Sequence, residues 1–146
     1  MNKQNILNTV KTKIAEKIET FENLIAETRA SNNDTKSSMG DKYETGREML
    51  QQEINNLQRQ LNEVLNQQAI TQKITSEPSV KVQNGALVKT DKGLFYISVS
   101  LGIIIVDNQK IMTVSEEAPL AKIMTRMKEG QTFSLNNTSQ TIEKIW

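Results

Sequence analysis

Two helical segments, each with a narrow apolar seam, flank a polar stretch at residues 31–46, and neither seam can be covered within the chain unless the chain doubles back. The stretch reads S-N-N-D-T-K-S-S-M-G-D-K-Y-E-T-G. Before it, Leu7, Val10, Ile14, Ile18, Phe21, Ile25 and Thr28 step by three or four residues, which lays one stripe along a helix of about 25 residues. After it, Tyr43, Leu50, Leu57 and Val64 lie seven apart, with Ile54 and Leu61 at the alternate seam positions. Each stripe is too narrow for burial on several sides and too long to leave exposed. The spacing predicts an antiparallel two-helix coiled-coil hairpin over residues 1–75, roughly 40 Å long at 1.5 Å per residue, with residues 31–46 at its tip. Pairing of the seams between two chains is the alternative; a turn-forming loop of this length favours the intramolecular hairpin and a monomer.

Beyond residue 75 the pattern changes, and Pro78 marks the break. Residues 80–82 and 86–90 read as short strands around a turn at Asn84-Gly85. Asp91-Lys92-Gly93 turns into a strand over 94–101, and Asp107-Asn108 separates strands at 103–106 and 111–114. Residues 119–127 form the one helical stretch, opened by Pro119 where helices tolerate it. Residues 131–135 and 141–146 close the fold as a hairpin across Asn136-Asn137. The chain is therefore expected to be α+β, with the hairpin followed by a small strand-rich domain over 79–146 that carries a single helix.

Composition narrows the chemistry. The 146 residues contain no cysteine and no histidine, which removes disulfides, thiol nucleophiles, histidine triads and the usual zinc sites. Any bound metal would take oxygen ligands, the preference of magnesium, manganese or calcium. Net charge is +1, so no strong field favours nucleic acid or an acidic membrane. The start of the sequence lacks the apolar stretch of a signal peptide, and the longest apolar run, around residues 102–106, is too short to span a bilayer; a cytoplasmic protein is expected.

Carboxylates mark the tip. Asp41 and Glu44 stand three residues apart at the start of the second helix, where Asp as N-cap and Glu at the third position would form a variant capping box. The same spacing lets two carboxylates share a hydrated divalent ion, completing a site whose other ligands belong to a partner. Asp34, earlier in the loop, can replace either or act as a third ligand. Met112, Met124 and Met127 read as core or interface filler and Trp146 as packing on the sheet. Lys122, Arg126 and Lys128 form a basic run that can meet an acidic partner or simply face solvent.

Taken together, these features resemble the Gre family of bacterial transcript cleavage factors. Gly40-Asp41-Lys42-Tyr43-Glu44 is similar to that family's tip motif, Gly-Asp-Leu-Lys/Arg-Glu-Asn. The segments Ile111-Met112-Thr113-Val114-Ser115 and Pro119-Leu120-Ala121-Lys122-Ile123-Met124, with Glu129-Gly130 after them, resemble its strand, its Ser-Pro-Leu-Ala-Lys-Ala-Leu helix and its closing Gly-Asp. The sequence Gln140-Thr141-Ile142-Glu143-Lys144-Ile145 fits the last strand, so the resemblance extends over nearly the whole chain. The departures are Glu116-Glu117-Ala118 between the serine and the proline, Thr125 for a glycine, Gln131 for an aspartate, and Lys42, Tyr43 and Thr45 within the tip. A second alignment sets Asn33-Asp34-Thr35-Lys36-Ser37 on the tip motif and leaves Ser37 at the second carboxylate.

The resemblance implies an FKBP-like C-terminal domain that binds bacterial RNA polymerase and a hairpin that enters its secondary channel. Asp41 and Glu44, or Asp34, would help to hold Mg²⁺ at the polymerase active centre, close to the RNA 3′ end. The chain would then stimulate the polymerase to hydrolyse backtracked RNA and would not be an enzyme itself. Lys122, Arg126 and Lys128 are candidates for the polymerase contact. Three other functions are compatible with the sequence: a non-cleaving channel regulator of the same fold, a coiled-coil adaptor or chaperone, and a peptidyl-prolyl isomerase. The low aromatic content, 4%, disfavours the proline pocket that the last would need.

Overall fold

The computed structural model describes the backbone of residues 1–37 and 44–146 and the side chains of residues 1–32 and 45–146. Two long helices lead, α1 over Lys3–Ser37 and α2 over Glu44–Gln72. Asn2 caps α1, its side-chain oxygen accepting the Asn5 N–H at 3.1 Å. After Gln72 the backbone tightens through three-residue turns, Lys73 N to Ile70 O and Ile74 N to Thr71 O. The strands follow as β1 (Leu87–Thr90), β2 (Gly93–Ser98), β3 (Gly102–Val106) and β4 (Gln109–Ser115). Helix α3 (Pro119–Met124), β5 (Thr132–Leu135) and β6 (Thr138–Ile145) complete the chain. The residues divide into two compact units, Lys13–Gln68 and a second that joins Met1–Thr12 to Ala69–Trp146.

In the first unit the helices pack through one apolar cluster. Ile25 of α1 and Ile54, Leu57 and Leu61 of α2 are buried, with Ile18 and Phe21 packed against them. A connection of six residues, 38–43, allows only antiparallel neighbours, so the expected hairpin is the observed arrangement. Polar neighbours one turn apart cover the outer faces, as in the Gln51–Asn55 and Gln58–Asn62 amide pairs at 3.1 and 3.2 Å. Helix α1 is longer than its seam predicts. It runs for 35 residues, so the described backbone of residues 31–37 is helical where a loop was expected.

The second unit is a six-stranded sheet in the order β3-β4-β2-β1-β6-β5. All pairs are antiparallel except β2 and β4, which run parallel from Leu94↔Ile111 to Ser98↔Ser115. Two turns have both central residues at positive φ, Asp107-Asn108 at 51° and 63° and Asn136-Asn137 at 52° and 63°; this is the twist that two-residue hairpins require. The core lies under α3, where Ala121 and Met124 meet Val88, Ile97, Val114, Phe133 and Ile142, with Phe95 and Met127 at its margin. Ile6, Leu7, Val10 and Ile74, from the ends of the helical segments that belong to this unit, are also buried.

Two local expectations are corrected. Residues 80–82 form no strand, because Val82 engages the chain after α3, its N–H donating to Met127 O and its carbonyl accepting from Arg126 N, both at 2.8 Å. Helix α3 stops at Met124 rather than at 127, because Arg126 takes a left-handed φ of 67°. Of the methionines expected as core or interface filler, Met124 is fully buried in the core, whereas Met112 is 37% exposed.

Candidate functional site

The carboxylates at the hairpin tip define the first candidate site. The backbone of Asn33–Ser37 continues α1, and Glu44 opens α2. Asp41 and the side chains of Asp34 and Glu44 lie outside the described residues. Their fit to a divalent cation rests on donor chemistry alone: each supplies hard carboxylate oxygen. Among the described residues no group of three or more carboxylates is placed to hold a metal ion.

The basic run does not form one helix face. Lys122 alone lies on α3, where its Nζ stands 3.6 Å from Glu117 Oε2; both side chains are exposed, and such a pair adds little stability. Arg126 lies beyond the helix end, exposed, with its backbone committed to Val82. Lys128 is exposed in the following turn, and its N–H donates to Gln131 Oε1 at 2.8 Å. Arg126 also lines a cavity of about 180 Å³ with Lys81, Gln83, Asn84, Glu116 and Thr125. Asn84 Oδ1 is buried there with no hydrogen-bond partner among the described residues. The cavity wall thus combines two cations, a carboxylate and an unused acceptor. No sequence pattern announced it, since its residues come from two loops, strand β2 and helix α3 with the residues just after it.

Lys3 was overlooked for a different reason. A lysine in a helical first turn reads as solvated, yet Lys3 is 6% exposed. Its Nζ donates to Glu77 O at 2.6 Å, Trp146 O at 3.0 Å and Ser79 Oγ at 3.4 Å, so the amine ties the start of α1 to the two chain segments that flank the sheet domain. Burial lowers its pKa from the ordinary lysine range. Trp146 is held by reciprocal backbone bonds with Leu87, and Lys144 Nζ sits 4.9 Å from its ring centroid.

No family model matches the sequence, and no curated protein matches it. Among solved structures, the chain is similar to GreA factor homolog 1 (Gfh1) of Thermus thermophilus, at 14% identity and a TM-score of 0.39, over 93% of this chain and 94% of that one. It is similar to Thermus aquaticus Gfh1 at 12% identity and a TM-score of 0.39, over 94% of both chains. A structure described as the transcription factor Gfh1 gives 12% identity and 0.39, over 92% and 90%. Among the described residues no helix is long and apolar enough to cross a membrane.

Proposed function

We propose that this chain is a cytoplasmic elongation factor that binds bacterial RNA polymerase, inserts its helical hairpin in the secondary channel and stimulates cleavage of backtracked RNA. One observation carries the reading: the Gly40-Asp41-Lys42-Tyr43-Glu44 motif runs from the connection between two long helices into the first residue of α2, and those helices pack along a single seam. A pair of packed helices has little interior, so what it can present to a partner is its outer surface and its end. The unit Lys13–Gln68 carries roughly 35–40 Å of helix, by rise per residue, on each side of the connection. That suits delivery of a short acidic segment into a narrow channel.

The chemistry follows from the carboxylates. Asp41 and Glu44, with Asp34 as the competing candidate, would hold Mg²⁺ jointly with polymerase ligands. The ion would supply charge neutralisation for hydrolysis of a phosphodiester. The chain's own contribution is to position anionic oxygens and orient the attacking water; the bond-breaking apparatus belongs to the polymerase. Lys122, Arg126 and Lys128 supply a basic contact from the sheet domain. Capture on immobilised polymerase tests the binding step: wild type and the Asp41→Asn, Glu44→Gln double variant should both be retained, and only wild type should release short RNA fragments from a backtracked complex. Failure of both proteins to bind would overturn the reading.

The altered tip supports a second reading. Lys42, Tyr43 and Thr45 replace family residues beside the carboxylates, which suits a regulator that occupies the channel without promoting cleavage. Retention on polymerase with no fragment release from wild type would select it.

A further inference from the structure

The two edges of the sheet differ in chemistry. At one edge, β5 places Thr132 and Ser134 outward and buries Phe133, so its solvent face is polar. At the other edge, β3 is Gly-Ile-Ile-Ile-Val, and among the described strands it pairs with β4 alone. Ile104 and Val106 are buried on one face, whereas Ile103 and Ile105 are 57% and 63% exposed on the other. Met112, opposite Ile103 on β4 and 37% exposed, widens the apolar strip. Soluble proteins usually blunt such an edge with a charge, a proline or a bulge. Strand β3 has no charged residue and no proline, and its register against β4 runs unbroken from Gly102↔Thr113 to Val106↔Gln109.

The strand is also complementary to itself. If two copies pair antiparallel about a two-fold axis at Ile104, Gly102 faces Val106 of the second copy and Ile103 faces its Ile105. Both cross-strand pairs on the exposed face are then isoleucine on isoleucine, a favourable pairing of β-branched side chains. Moving the axis to Ile103 or Ile105 leaves one isoleucine pair on the exposed face and sets the other isoleucine against Leu101 or Asp107. A two-fold contact requires one surface to fit itself, and this edge does. The small net charge, +1, adds little repulsion between copies.

We propose that β3 is the dimerisation edge of this protein, with two copies joining their sheets through antiparallel β3–β3 pairing centred on Ile104. The seam is short, so the dimer is a weak one at the small end of interface sizes. Sedimentation equilibrium on the full chain should show a monomer–dimer equilibrium at micromolar concentrations. Ile105→Lys removes both isoleucine pairs at once and should weaken it at least about tenfold. Ile105→Thr, which keeps strand propensity, should weaken it less. Because the chain has no native cysteine, register can be read directly. An equimolar mixture of Ile103→Cys and Ile105→Cys proteins should oxidise to the mixed disulfide, while each protein alone should not crosslink. A monomer at all concentrations would overturn the proposal. So would a dimer indifferent to both Ile105 substitutions, or crosslinking without the 103–105 preference; these outcomes would direct attention to the helical seams or to an extended peptide of another protein.

Discussion

Tyr96 is fully buried, and its hydroxyl has no hydrogen-bond partner among the described residues. Burial pushes its pKa up to about 12. The folded state therefore holds the phenol proton more tightly than the unfolded chain does. Stability from this residue is fully present below pH 10 and is lost as pH rises towards 12. Tyr96→Phe should stabilise the protein by roughly 1 kcal/mol at neutral pH, since it removes a buried unpaired hydroxyl and keeps the ring. It should also flatten the alkaline limb of a denaturation series between pH 10 and 12, where wild type declines. Lys3 presents the opposite case, a buried amine with three acceptors. Lys3→Met should lower stability by about 1–3 kcal/mol, read from Trp146 fluorescence during urea unfolding, because Glu77 O and Trp146 O lose their donor. Neither site was legible in the sequence. A lone lysine in a polar helix and a tyrosine in an alternating strand look ordinary until distant segments converge on them.

At the scale of elements, period was the reliable signal. The 3.5-residue seam located α2, and alternation between turn residues located all six strands. The Asp107-Asn108 and Asn136-Asn137 turns were readable because Asn and Asp tolerate positive φ. What misled was tertiary preference: Val80-Lys81-Val82 has strand composition, but Val82 spends its backbone groups on Met127 and Arg126. Helix α3 ended early for the same reason. Burial of Leu57 in the hairpin cluster gives a direct test of the seam. Leu57→Ala should destabilise the helical unit by about 2–4 kcal/mol. The midpoint of the helical circular-dichroism transition should fall more than that of Trp146 fluorescence, which reports on the sheet unit. Gly85→Ala should destabilise the sheet unit instead. Its φ is +90°, and an added Cβ would stand 3.2 Å from Ile74 Cγ2.

For the whole molecule, the proposed function divides the labour between the hairpin, which would present the segment joining α1 and α2, and the sheet domain, which carries Lys122, Arg126 and Lys128 on and after α3. The architecture was legible because each half has its own hydrophobic period. The chemistry proposed for Asp41 and Glu44 rests on a motif alone, since two carboxylates three residues apart serve a helix cap and a metal equally well. The most direct test is RNA release from a stalled, backtracked bacterial elongation complex in magnesium, comparing wild type with the Asp41→Asn, Glu44→Gln variant. Wild type should release short 3′ fragments, and the variant should release none while still binding polymerase. Fragment release that survives the double substitution would contradict the assignment of the tip.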